Sequence, residues 1–121
     1  MTTIEHRPWG YFETLYEEDN FKLKRLVIKE GEKISLQKHY KRSEHWHIVS
    51  CDESYMYMGR YSGVMPATKL YAGECHTIDV GIWHRLSAVK GDLEIIEYQY
   101  GEEVSEEDIQ RLEDNYGRDL L

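Results

Sequence analysis

From Gly10 onward, hydrophobic and polar positions fall into short β-type segments separated by polar turns, the clearest spanning residues 21–29, 44–50, 54–60, 75–79 and 93–100. Between them stand turn-forming residues. The acidic run Glu17, Glu18, Asp19 and Asn20 precedes Phe21, and Gly31, Gly63, Gly73, Gly81 and Gly91 mark later bends. Many short strands with regular punctuation predict an all-β chain folded as a sandwich or barrel. The end of the chain changes character. Ser105 followed by Glu106, Glu107 and Asp108 reads as a helix N-cap with an acidic first turn. Ile109, Leu112 and Tyr116 then fall at helical spacing before Gly117, so the pattern predicts a short C-terminal helix docked on the barrel. No internal repeat, low-complexity tract or linker is present, and residues 1–121 are expected to form a single domain.

Length and charge narrow the functional classes. A chain of 121 residues can bury a core without disulfides. Its 23 acidic against 15 basic side chains give a formal charge of −8, the opposite of the balance that neutralises phosphate backbones, so no nucleic-acid partner is expected. An anionic ligand would need a local basic pocket. The two cysteines, Cys51 and Cys75, are too few and too distant in sequence for a disulfide framework or a thiolate zinc site, which fits a reducing, cytoplasmic setting. Residues 1–9 lack the apolar centre of a signal peptide, and no stretch approaches the ~20 apolar residues of a membrane helix. A soluble protein with no membrane association is expected.

The chemistry concentrates between Gly31 and Cys51. Gly31 is followed by five residues and then by Gln37, Lys38 and His39, with Glu44 after four more. Alternate side chains of an extended strand share a face, so Gln37 and His39 can point into a barrel together while Glu44 returns from the next strand. Downstream, Gly73, Gly81 and His84 lie in a second turn-rich segment that can supply a fourth ligand. Each of these residues alone is an ordinary polar strand residue. Together, two imidazoles, a carboxylate and an amide oxygen make a mixed nitrogen and oxygen site for one divalent metal ion, zinc first, with manganese, iron, cobalt or nickel as alternatives.

The pattern Gly31-x5-Gln37-x-His39-x4-Glu44 resembles the first cupin motif, with Gln in the place usually held by the first His, and Gly73-x7-Gly81-x2-His84 resembles the second. More specifically, the chain resembles the type II phosphomannose isomerase family, the cupin domain often fused behind a mannose-1-phosphate guanylyltransferase. The resemblance rests on Arg7-Pro8-Trp9-Gly10, Phe21-Lys22-Leu23-Lys24-Arg25, Ser35-Leu36-Gln37, Arg42-Ser43-Glu44-His45-Trp46, Trp83-His84-Arg85-Leu86, Glu107-Asp108-Ile109 and Tyr116-Gly117-Arg118, in that order along nearly the whole chain. Four positions depart from it. Lys41 stands where the family usually has His, Cys51 where it has a turn glycine, Asp79 where it has proline and Ala88 where it has asparagine.

The resemblance implies a cupin-type barrel and a metal-dependent aldose–ketose isomerase that interconverts mannose 6-phosphate and fructose 6-phosphate. In such a reaction a metal stabilises charge on the carbonyl oxygen while a base moves a proton between neighbouring carbons. Glu44 and then Glu97 are the bases to consider, with Arg85 beside them as a catalytic group. Arg7, Lys24, Arg42 and Arg85 lie in the matching segments and are the candidates for the substrate phosphate, for which the planar guanidinium fork is suited. Trp46 and Trp83 are read as core. His45 and His47 share the strand face opposite Glu44 and should point away from the metal, while His6 and His76 carry no assignment. A non-catalytic cupin binding a sugar phosphate or nucleotide sugar is the alternative, favoured by the four departures; a metal-dependent oxygenase is a third reading. The resemblance also implies a homodimer.

Overall fold

The structure, a computed structural model, describes residues 3–61, 63 and 65–113. Its strands are β1 (Thr3–Arg7), β2 (Gly10–Glu18), β3 (Phe21–Ile28), β4 (Leu36–Lys38), β5 (Arg42–Ser50), β6 (Glu53–Gly59), β7 (Ala67–Lys69), β8 (Cys75–Ile78), β9 (Trp83–Lys90), β10 (Leu93–Gly101) and β11 (Gln110–Glu113). They pair antiparallel in two sheets, one of six strands in the order β1-β2-β3-β10-β5-β8 and one of five in the order β11-β4-β9-β6-β7. The core lies between them, with Phe12, Leu26, Ile28, Trp46, Ile48 and Ile95 from the larger sheet meeting Met56, Leu86 and Ala88 from the smaller. This is the expected cupin-type β-barrel. No helix among the described residues is long and apolar enough to cross a membrane.

The inward faces of the strands change character along their length. In β3, Lys22 and Lys24 are buried ahead of Leu26 and Ile28; in β5, Arg42 and Glu44 precede Trp46 and Ile48; in β10, Leu93 and Ile95 precede Glu97 and Gln99. The antiparallel register stacks these halves side by side, Lys24 opposite Glu97 and Glu44 opposite Gln99. One end of the barrel is therefore apolar and holds the fold together. The other is lined by charged and amide side chains that are equally buried, an arrangement that stands only if they pair with one another or with a ligand.

The C-terminal helix predicted from Ser105 to Gly117 is not formed. Ser105 does cap one turn, its Oγ accepting from the Glu107 amide at 3.1 Å and its carbonyl from the Asp108 amide at 3.1 Å. The chain then extends as β11, whose Gln110 and Arg111 pair with Lys38 and Gln37 on the open edge of β4. The edge of a short strand offers ready backbone partners, and pairing with it outweighs a single acidic turn whose helical continuation has few apolar positions to bury. Tyr116 and Gly117 lie outside the described residues.

Gly10 holds the entry to β2. Its φ is +151°, and a Cβ there would meet the Val27 carbonyl oxygen at 2.0 Å, a backbone atom that cannot step aside. Gly10→Ala is expected to lower stability by about 3 kcal/mol, because backbone strain and overpacking add at one position. Urea denaturation of the variant against the parent protein checks this.

Candidate metal centre and cavity

Three buried groups converge at the polar end. His39 follows β4, Glu44 sits in β5 and His84 in β9, and their ligating atoms all lie within 4.8 Å of one another, with residue exposures of 3, 2 and 1%. Local structure sets each one. β4 and β9 pair with Gln37 opposite His84, which brings the two ends of the sequence pattern together. The turn before β9 is fixed by Gly81, whose φ of +80° suits glycine and whose amide donates to the His39 carbonyl at 2.8 Å.

Both imidazoles are oriented by backbone carbonyls. His39 Nδ1 lies 2.6 Å from the Asp108 carbonyl oxygen and His84 Nδ1 lies 3.0 Å from that of Ile82. A carbonyl only accepts, so each Nδ1 carries the proton and, in the neutral ring, each Nε2 presents a lone pair. Those lone pairs face Glu44, at 3.1 Å from His39 Nε2 and 3.6 Å from His84 Nε2. Glu44 can meet these nitrogens either by accepting a hydrogen bond from a protonated imidazole or by sharing a divalent cation with the neutral rings, and backbone carbonyls on the far nitrogen are how metal-binding imidazoles are held. The donor set therefore fits a divalent cation. Gln37 lines the adjoining cavity, and its Nε2 donates to Ser35 Oγ at 3.3 Å, which leaves Oε1 as the atom for ligation.

A fixed cation already touches the cluster. Arg42 Nε and Nη2 donate to Glu44 Oε2 at 3.1 and 3.0 Å, Nη2 also reaches His39 Nε2 at 3.3 Å, and Nη1 donates to the Ser105 carbonyl at 2.8 Å. Burial alone would raise the Glu44 pKa, but His39, His84 and Arg42 hold it well below the usual carboxylate range. Burial brings His84 down to about 4, against the pull of Glu44, so its ring is neutral at pH 7. Glu97 moves the other way: burial and the negative charge of Glu44 raise it to about 7, with Lys24 and Arg42 opposing. Two neighbouring carboxyl groups are thus driven apart, the pattern that separates a fixed anion from a proton-exchanging group.

These residues open on a cavity of about 110 Å³ whose walls include Gln37, Arg42, Glu44, His84 and Glu97, with Arg7 and Lys24 on the β2–β3 side. Lys24 is buried, stands 4.1 Å from the centre of the Phe12 ring and is paired with Glu106, which the Arg42 Nη1 also approaches at 4.0 Å. Arg85 is not brought to this cavity. It alternates with His84 along β9 and donates from Nε to the Ile34 carbonyl at 2.7 Å. His45 and His47 do face away from Glu44, onto Thr77 and Cys75 of β8. Trp46 is core, and its Nε1 donates to Glu97 Oε2 at 3.1 Å.

The segment read as a helix contributes most of the site residues that sequence reasoning missed. Asp108 clamps the turn that carries His39: its carboxylate accepts from the Tyr40 and Lys41 amides, each at 2.9 Å, while its carbonyl orients the imidazole. Glu106 and Arg111 line the cavity, as does Gln99 of β10. Gln99 alone had a local signal, since it alternates with Glu97 on one strand face.

Comparison with known proteins places the chain. The family model described as "Mannose-6-phosphate isomerase C-terminal" matches residues 1–114. The xanthan biosynthesis protein XanB of Xanthomonas campestris is 38% identical over 114 residues, covering 93% of this chain and 23% of XanB. The alginate biosynthesis protein AlgA of Pseudomonas aeruginosa is 36% identical over 121 residues, covering 93% and 22%. A mannose-1-phosphate guanylyltransferase of Salmonella montevideo is also 36% identical, with 93% and 23% covered. The chain thus spans less than a quarter of the length of these relatives. Among solved structures, the capsular polysaccharide assembling protein CapF of Staphylococcus aureus has a TM-score of 0.78 at 16% identity, over 93% of this chain and 33% of CapF. Oxalate decarboxylase OxdC of Bacillus subtilis also reaches 0.78 at 16% identity, over 92% and 30%. These two share the fold.

Proposed function

The chain belongs to the mannose-6-phosphate isomerase C-terminal family, and from that premise we infer that it interconverts mannose 6-phosphate and fructose 6-phosphate around one divalent metal ion, zinc first. The observation that carries this reading is the convergence of His39, Glu44 and His84 within 4.8 Å beside a cavity lined also by Arg7, Lys24 and Arg42. His39, Glu44, His84 and Gln37 would hold the ion. When bound, it supplies Lewis-acid stabilisation of negative charge on the sugar's carbonyl oxygen. Glu97 is the better of the two candidate bases. Glu44 is committed to Arg42 and the imidazoles, whereas Glu97, near pKa 7, takes and returns a proton at neutral pH and is steered by the Trp46 indole.

Arg7, Lys24 and Arg42 receive the phosphate, which takes the place of the Glu106 carboxylate on Lys24. Lys24→Met is expected to raise the KM for the sugar phosphate about ten- to hundredfold through loss of a charge-assisted contact, with metal content unchanged. Steady-state kinetics with metal analysis checks it. The reaction itself is tested by incubating metal-reconstituted protein with mannose 6-phosphate and detecting fructose 6-phosphate; no turnover with zinc, manganese, iron, cobalt or nickel overturns the isomerase reading.

One observation favours a second reading. The Arg42 guanidinium already bonds both Glu44 and His39, so a cation must take their lone pairs from it. A non-catalytic cupin binding a sugar phosphate or nucleotide sugar would use this arrangement as it stands, and would give ligand-dependent thermal stabilisation without turnover.

A further inference from the structure

We propose that Gln99 is the residue that reads a hydroxyl group of the sugar, its side-chain oxygen accepting a hydrogen bond that no group among the described residues supplies. The proposal rests on the reading of the cavity as a sugar-phosphate site.

Gln99 is 1% exposed and lines the cavity. Its Nε2 donates to Glu97 Oε1 at 2.6 Å, the sense of the amide that an ionised Glu97 requires, because a turned amide would set oxygen against the carboxylate. Its Oε1 is buried and has no hydrogen-bond partner among the described residues. Unsatisfied buried acceptors are uncommon and unfavourable, and one that faces a cavity takes its donor from what fills the cavity, water when it is empty and a ligand when it is occupied.

Position adds a second, independent reason. Gln99 lies directly opposite Glu44 in the β5–β10 register, and cross-strand pairs stand close enough to touch one bound group. On its other side Gln99 pairs with Lys22 and stands one inward position from Glu97, which lies opposite Lys24, so a ligand spanning the metal-binding cluster and Lys24 lies over this stretch of β10. A phosphate or a carboxylate has no proton to give an amide oxygen at neutral pH, but every carbon-bound hydroxyl of a sugar does. Gln99 therefore selects for a polyhydroxylated ligand over a simple anion, and its bond to Glu97 couples that selection to the base.

The experiment is calorimetric binding of mannose 6-phosphate and of its monodeoxy analogues to the protein as purified, for the parent and for Gln99→Met. The parent protein is expected to bind one analogue about tenfold or more weakly than mannose 6-phosphate. Gln99→Met is expected to bind that analogue and mannose 6-phosphate within about threefold of each other, having lost the acceptor. The same discrimination in both proteins, or none in the parent, overturns the proposal while leaving the functional reading intact. A parent protein that binds no sugar phosphate overturns both. Should the variant fail to fold, the side-chain amide resonances of Gln99 in the parent decide the matter: they are expected to move with mannose 6-phosphate and stay with the discriminated analogue, and an unmoved signal in the first case overturns the proposal.

Discussion

On the isomerase reading, His84→Ala is expected to abolish metal binding and turnover. His84 is 1% exposed, its Nδ1 is engaged by the Ile82 carbonyl and its Nε2 faces Glu44 at 3.6 Å, so the ring has one free lone pair and one place to direct it. Loss of an outer-shell partner alone weakens metal binding about 10- to 100-fold, and loss of a ligand exceeds that. Isomerisation should fall in parallel, since a ketose product depends on the charge stabilisation the ion supplies. His45→Ala is the matched control: it removes an imidazole from the same barrel on the outer face, against Thr77, and should leave metal content and turnover unchanged. Metal analysis after dialysis and a coupled assay for fructose 6-phosphate measure both. A His84→Ala protein with full metal content removes His84 from the site and with it the three-residue cluster.

Much of this centre was legible because β-strand alternation converts sequence spacing into shared faces. Gln37 and His84 met as paired residues, Glu44 returned on the next strand, and the five segments read as strands are β3, β5, β6, β8 and β10, with ends shifted by no more than two residues. The helix failed for a reason local pattern does not contain. Ser105 and its acidic followers start a turn in either case, and the path of the chain beyond that turn depends on whether an unpaired edge is near. β4 supplies that edge from far upstream in sequence, where Lys38 and Gln37 take Gln110 and Arg111 as partners. Asp108, Glu106 and Arg111 were missed with it. Arg85, next in the chain to His84, turns to the Ile34 carbonyl and does not line the cavity, as alternation along a strand requires. Lys22 and Lys24 invert the usual rule. Pattern alone places lysines outside and Leu23 inside, yet both lysines are buried, because this end of the barrel is built to hold charge.

Glu97→Gln should make the metal-free protein more stable at high pH and less active. The carboxyl ionises near 4.5 when exposed and near 7 in the fold. Below 4.5 both states hold the proton and the group contributes nothing. Between 4.5 and 7 the unfolded chain has released it while the folded protein retains it, so rising pH favours unfolding, and above 7 the full penalty of about 3 kcal/mol stands. A neutral amide carries no such penalty. The gain of the variant over the parent protein should therefore be near zero at pH 4.5 and grow to about 3 kcal/mol by pH 8. His84 runs the opposite way in both proteins: its ring titrates near 4 in the fold and 6.5 outside it, so its contribution is lost as pH falls from 6.5 to 4 and largely cancels in the difference. The hydrogen bonds survive the change, since the Trp46 indole donates to the new carbonyl and the new amide donates to Gln99 Oε1, an acceptor with no partner among the described residues, once the Gln99 side chain turns over. Turnover moves in the other direction, by about 10²- to 10⁴-fold, if this carboxyl carries the proton between carbons. Urea denaturation of chelator-treated protein at both pH values reads the first effect and the isomerase assay the second. A stability difference that stays flat with pH would mean that Glu97 is ionised in the fold like any surface carboxylate, and undiminished turnover would return the role of base to Glu44.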